Sequence, residues 1–289
     1  MSQLFCTLAH EVEIQGIGLH SGQAINLRLC PSSEIGVRFA RVDLPGRPEV
    51  SADIAHVSTT THATTIQEGT AQISTIEHLL AALWTSGLTH ARVEIDGPEV
   101  PILDGSAAGW MELLAHAGRR ELDGIRPIYR LQSPVWLEAK GAQMFGVPIS
   151  DNASEATFRL SVGVDYDTPG AGAQTFDEII TAASFARELA PARTFTLADW
   201  LEPLRATGLI KGGSLDNAVV IDNEGTLSSP LRFDNELARH KALDCIGDLA
   251  LALCPTGAQF QGHLVAIRAG HAVHRDWTQQ ALQTGSLSL

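Results

Sequence analysis

The sequence predicts an α+β protein of two similar halves, and three observations carry that expectation. Each half opens with short segments in which apolar and polar residues alternate. Each then reaches one strongly helical stretch, residues 73–87 in the first and 233–254 in the second, where apolar residues recur at helical spacing. Between the halves lies LDGIRPIYRLQSP (122–134), which carries Gly124, Pro127, Pro134 and mixed charge. This places a boundary near residue 125 and gives an N-terminal domain of 1–125 and a C-terminal domain of 126–289. With 289 residues, 44% of them hydrophobic, the chain can bury one large core or two ordinary ones without help from disulfides.

In chain order, HEVEIQGIGLHSGQAINLRLCP (10–31) alternates about Gly-rich turns and reads as a hairpin. VRFARVDL (37–44) and ATTIQE (63–68) are further short strands. In ISTIEHLLAALWTSG (73–87), Ile76, Leu79, Leu80 and Leu83 recur at helical spacing before Gly87 closes the run. Ser74 and Glu77 fit a capping box at its start. A strand at 89–97, a Pro/Gly turn region and a helix over about 106–117 complete the first half. The second half repeats the order: strands VWLEAK (135–140), AQMFGVPIS (142–150) and TFRLSVGVDY (157–166), the helix FDNELARHKALDCIGDLALALC, and the strand HLVAIRAG (263–270). Residues 193–222, with a helical pattern, Gly-Gly and the apolar run AVVI, read as an insertion. The shared order suggests duplication of an ancestral module, although no residue-level repeat recurs at a fixed period. The last residues are expected to fray.

Composition narrows the function. A net charge of −13 without a Lys/Arg run argues against a nucleic-acid partner, while one or two basic residues in a pocket could still hold a diphosphate. Cys6, Cys30, Cys245 and Cys254 show no CxxC spacing, which fits reduced thiols and no zinc ribbon. The N-terminal stretch lacks a basic n-region, and no apolar run approaches the roughly 18 residues of a membrane span. The expectation is a cytoplasmic monomer acting on a small molecule.

The chemistry concentrates in three places. His240, Asp244 and Asp248 are spaced by four, which stacks them along one helical face beside Leu237, Leu243, Ile246, Leu249 and Leu253. Buried charge without a partner is costly, and zinc would remove that cost for His240 and Asp244. The alternative is a His-Asp hydrogen bond with Asp248 solvated. His78 is either an ordinary first-turn histidine or a ligand projected from a helix N-terminus, with Glu77 either a cap or a general base beside it. His271, after Gly270, is either a surface-turn histidine or a general acid held in one tautomer by Asp248. His20 in GLHSG stays open between a turn residue and a nucleotide contact.

Taken together, GIGLHSG (16–22), STIEHLLAAL (74–83), EIDGPEVPILDGSAAGW (94–110), ARTF (192–195), GGSLDNAVVID (212–222), RHKALDCIGDLAL (239–251) and AGHAVH (269–274) resemble the UDP-3-O-acyl-N-acetylglucosamine deacetylase family nearly end to end. The resemblance implies two similar α+β domains with helices as inner layers, and a zinc hydrolase of lipid A biosynthesis that removes acetate from an acylated UDP-amino sugar. It implies His78, His240 and Asp244 as zinc ligands, a set also compatible with Fe2+. It further implies Glu77 as base, His271 as acid oriented by Asp248, and Thr194 at the oxyanion. Lys241 and Phe195 would contact substrate, Lys241 near its sugar-phosphate portion, and the 193–222 insertion would form the acyl passage. ARTF is commonly followed by Gly in that family, whereas this chain has Thr196, at the entrance of that passage. Two other readings are a metal amidohydrolase acting on a different acylated sugar, and a non-catalytic zinc scaffold. The scaffold would need a fourth protein ligand, for which the sequence offers no candidate.

Overall fold

The computed structural model describes residues 3–150 and 156–289. Leu4–Leu8 form β1, and the alternation at 10–31 becomes a hairpin of β2 (Val12–Ile17) and β3 (Ala24–Pro31), with Val12 opposite Leu29 and Ile17 opposite Ala24. Then come β4 (Gly36–Arg41), β5 (Glu49–Ser51) and a small antiparallel sheet of β6 (Val57–Thr59), β7 (Thr65–Glu68) and β8 (Ala71–Ile73). The first half ends with α1 (Glu77–Thr85), β9 (His90–Ile95), α2 (Ala108–Ala117) and β10 (Arg119–Ile125).

The second half begins with β11 (Ile128–Leu131), β12 (Val135–Ala139), β13 (Ala142–Val147), β14 (Phe158–Tyr166) and β15 (Gly172–Ile179). After the one-turn α3 (Ala182–Ser184) comes the predicted insertion: β16 (Phe195–Leu197), α4 (Ala198–Ala206) and β17 (Val219–Ile221), with β16 and β17 parallel. The chain finishes with α5 (Glu236–Leu253), β18 (Gln259–Ile267), α6 (His271–Gln283) and β19 (Leu287–Ser288).

Each half builds a seven-stranded sheet, and the two sheets share one pairing scheme. In the first, β9 lies beside antiparallel β3 and parallel β4; β2 flanks β3, β5 flanks β4, and β1 joins β9 in parallel and β10 antiparallel. In the second, β18, β13, β14, β12, β15, β11 and β19 occupy the same places with the same directions. The repeated order of elements therefore extends to strand pairing. It makes α1 and α5 counterparts, each preceding the central strand of its sheet.

Those two helices pack on each other between the sheets, giving the α+β sandwich with helices inside. Every residue of α1 is buried, as are Leu237, Leu243, Ile246, Leu249 and Leu253 of α5. Trp84 Nε1 donates to Ala258 O (2.9 Å), so a polar bond also joins the halves, and buried Arg126, just past the boundary, donates to Gly257 O and Ala258 O (2.8 and 3.1 Å) of the same turn. The helices approach closely at Gly247: a Cβ there would lie 2.1 Å from Glu77 O. Gly247→Ala is expected to cost roughly 1 to 3 kcal/mol, because backbone cannot yield as a side chain can. Denaturant unfolding checks this, and an unchanged midpoint would show that the helices can slide apart freely.

Two expectations are corrected. The capping box does not form: Ile76 is the N-cap, Glu77 is the first helical residue, and Ser74 Oγ donates to Pro98 O (3.3 Å). The C-terminal segment is ordered, since α6 buries Val273, Trp277 and Ala281 on one stripe and Leu287 pairs with Leu131 in the sheet.

Candidate metal centre and catalytic site

The counterpart helices bring their polar residues to one point. His78 stands at the second position of α1, and His240 and Asp244 lie one turn apart on α5; all three are at most 4% exposed. His78 Nε2 and His240 Nε2 are each 3.5 Å from Asp244 Oδ1, and the two rings stand nearly perpendicular at 5.0 Å between centroids. Around an ion with donor distances of about 2.0–2.2 Å, neighbouring vertices of a tetrahedron lie roughly 3.3 to 3.6 Å apart, which these spacings match. Asp244 Oδ1 has no hydrogen-bond partner although it is buried, an orphan that a cation would satisfy. The trio could thus hold a metal ion through three protein donors.

The surroundings favour the donor states such a group needs. His240 Nδ1 lies 3.1 Å from Ala192 O, which fixes the proton there and leaves Nε2 its lone pair. Burial holds the His240 imidazole down to about 3, so the ring is neutral. Burial alone would raise the Asp244 carboxyl, but His240, Lys241 and His78 outweigh it and keep it ionised well below the usual range. Lys241 Nζ donates to Asp244 Oδ2 at 2.8 Å. Burial works against that ammonium, and Asp244 overcomes it, so Lys241 stays charged.

Beside the trio stands an acid-base pair. Glu77 is 3% exposed, its Oε2 accepts from Thr64 N (3.2 Å), and burial raises its carboxyl above the ordinary range. Its Oε1 is 3.8 Å from His271 Nε2. His271 opens α6 and is not in a surface turn; its Nδ1 lies 2.8 Å from Asp248 Oδ2. Burial disfavours the His271 cation, but Asp248 more than compensates and raises it to about 9. Asp248 is buried, not solvated, and it is held ionised by His271 and His274 against the opposing effect of burial.

Glu77, His78, His240, Lys241, Asp244 and His271 line one cavity of about 450 Å³. Apolar side chains also line it, namely Ile102, Phe195, Trp200, Leu201, Leu204, Ile210, Leu215 and Val220, most of them from the insertion. The Phe195 ring lies edge-on to His240 at 6.2 Å and 5.6 Å from Lys241 Nζ. Thr194 and Thr196 also line the cavity. Thr194 N donates to Gly105 O (2.7 Å), and Gly105, at φ +84°, leaves no room for a Cβ, which would sit 2.2 Å from Asn217 O and 3.1 Å from Thr194 Cγ2.

The sequence-predicted residues thus gather around one cavity, with Asp248 behind His271. Residues missed by sequence reasoning are Thr64, His274 and Glu99. Thr64 Oγ1 and His274 Nδ1 both bond Asp248, at 2.5 and 2.8 Å. Buried Glu99 accepts from His20 N, Ser21 N and Thr75 Oγ1 (2.9, 2.7 and 3.0 Å), fixing the loop that carries His20 to the cavity wall. Thr75 and Ile210, both β-branched and both lining the cavity, adopt φ of 57° and 51°, strain of the kind that collects at functional sites. Reading Val273, Trp277 and Ala281 as a helical stripe would have exposed His274 one turn beyond His271; Thr64 carries no comparable signal. Among the described residues, no helix is long and apolar enough to cross a membrane.

Residues 6–283 match the family model described as UDP-3-O-acyl N-acetylglycosamine deacetylase. A Nostoc protein named UDP-3-O-acyl-N-acetylglucosamine deacetylase is 41% identical over 282 residues, covering 96% of this chain and 97% of its own. Proteins of the same name from Synechocystis (41% identical, covering 96% and 98%) and Bdellovibrio bacteriovorus (38%, covering 92% and 86%) are likewise similar.

Proposed function

The chain belongs to the UDP-3-O-acyl N-acetylglycosamine deacetylase family, and on that premise we propose that it is a zinc hydrolase of UDP-3-O-acyl-N-acetylglucosamine. It would release acetate and the free amino sugar in the committed step of lipid A biosynthesis, as a cytoplasmic monomer of two domains, 1–125 and 126–289. The observation that carries this reading is the convergence of His78 Nε2 and His240 Nε2 on the orphan Asp244 Oδ1 in a cavity that is also lined by apolar side chains.

His78, His240 and Asp244 would hold the ion, a set of three protein donors of the kind found at catalytic and not structural zinc sites. An ion in that position supplies a Lewis acid that polarises the acetyl carbonyl and acidifies water beside it; imidazole and carboxylate donors suit zinc and also admit Fe2+. Glu77 takes the proton of the attacking water as its oxygen bonds to the acetyl carbon. The Thr194 hydroxyl donates to the oxyanion that develops on the former carbonyl. His271, cationic and held by Asp248, gives its proton to the sugar nitrogen as the C–N bond breaks, so the amine leaves neutral. Lys241 keeps donors beyond the one given to Asp244 for the sugar-phosphate portion, Phe195 packs on the substrate, and the wall around Trp200, Leu204 and Ile210 takes the acyl chain.

Acetate release from the acylated UDP-sugar, followed before chelation, after chelation and after zinc add-back, tests metal, reaction and substrate together. Turnover should vanish with chelator, return with zinc, and be much weaker on the unlinked acyl sugar. Chelator-resistant release, or equal rates with and without the UDP group, would refute the reading.

A further inference from the structure

One carboxylate oxygen near the site serves two imidazoles. His271 and His274 lie three residues apart on α6, so both rings descend on the same part of α5. Each Nδ1 is 2.8 Å from Asp248 Oδ2, and the rings stand at 85° with centroids 6.2 Å apart. Asp248 Oδ1 is engaged by the Thr64 hydroxyl, so the carboxylate cannot turn to offer each imidazole its own oxygen. His274 is 1% exposed and, unlike His271, does not line the cavity. It touches neither the metal ligands nor the space a substrate would fill; its ring addresses Asp248.

We propose that His274 is a positioning residue for the acid His271: by donating its Nδ1–H to the oxygen that also holds His271, it divides that carboxylate between two imidazoles and limits how firmly His271 keeps its proton. The inference rests on His271 being the group that protonates the leaving amine. An acid gripped too strongly transfers its proton poorly, so a second donor on Asp248 tunes the first. The other groups facing His271 are the carboxylates of Glu77 on α1 and Asp244 on α5, which favour its cation, and the imidazoles of His20 and His62 on loops, which oppose it. None of these shares an acceptor atom with it. Removing the His274 donor leaves Asp248 Oδ2 wholly to His271, which strengthens the remaining bond and favours the cation.

The test uses the full zinc-loaded protein with His274→Leu, which fills the space without a donor, and His274→Asn, whose amide nitrogen hangs on Cγ as Nδ1 does. Two quantities are followed against pH: the His271 imidazole resonances and kcat/KM on the acylated UDP-sugar. In the Leu variant the His271 midpoint and the basic limb should both move up by about one pH unit, and Asn should restore both. A merely structural role would lower the folded fraction without moving the midpoint. Should Leu fail to fold, His274→Ala carries the same expectation. An unmoved His271 midpoint, or the same midpoint with and without a donor at 274, overturns the proposal. A shifted midpoint with an unshifted kcat/KM profile leaves the sharing of Asp248 standing and removes His271 from the role of acid.

Discussion

Glu77→Ala is expected to keep its zinc and lose turnover by roughly 10² to 10⁴-fold, the span that general acid-base groups contribute. Glu77 lies outside the convergent donor trio, and its carboxylate faces His271 and Thr64 N. Its deletion should therefore spare metal binding while leaving the attacking water without an acceptor for its proton. The pH profile follows from the two groups together. Burial raises the Glu77 carboxyl, so activity should fall on acidification at a higher pH than an exposed glutamate would dictate. His271, cationic up to about 9, should set a basic limb, with activity lost as pH rises through that value. In Glu77→Ala the acidic limb should flatten while the basic limb persists. Near-normal turnover in a zinc-replete variant would show that another group accepts the proton.

How much of this was legible in the sequence depended on whether a feature is local. The helices of His78 and His240 could be read because Ile76, Leu79, Leu80 and Leu83, and then Leu237, Leu243, Ile246 and Leu249, repeat at the period of one buried face. The pairing of His240 with Asp244 follows from one turn of helix. What joined His78 to them was tertiary: α1 and α5 hold equivalent places in two sheets of one topology, a symmetry written in strand pairing and not in residue identities. Spacing therefore left bland alternatives open for each residue, and only the resemblance of several ordered motifs favoured the functional ones. His271 was harder still, because HAVHRDWTQQALQ is polar except for one stripe and its helix went unread. The capping box failed for a related reason. The Glu77 carboxylate is directed to Thr64 and His271, so a local motif gave way to the needs of the site.

Asp244→Ala should produce the larger loss: most bound zinc and, with it, all measurable turnover. In the proposed ligand set Asp244 is the one anionic donor, through Oδ1, while Oδ2 accepts from Lys241. Its removal leaves the two imidazoles and an ammonium, largely buried, whose carboxylate partner is gone and which would now repel a cation at the same point. Changes around zinc ligands that leave the ligands in place already weaken binding 10 to 100-fold, and loss of a ligand should exceed about 100-fold. The strain from Lys241 can be separated from the lost ligand by adding Lys241→Met, which removes the stranded charge while supplying no oxygen donor. The double variant should regain part of the thermal stability lost by Asp244→Ala yet remain metal-poor after dialysis. Zinc should raise the melting temperature of the parent protein and leave both variants nearly unmoved, because a ligand stabilises only the folded state that binds it. Stoichiometric zinc in dialysed Asp244→Ala would remove that carboxylate from the ligand set and, with it, the geometric argument that makes this cavity a metal site.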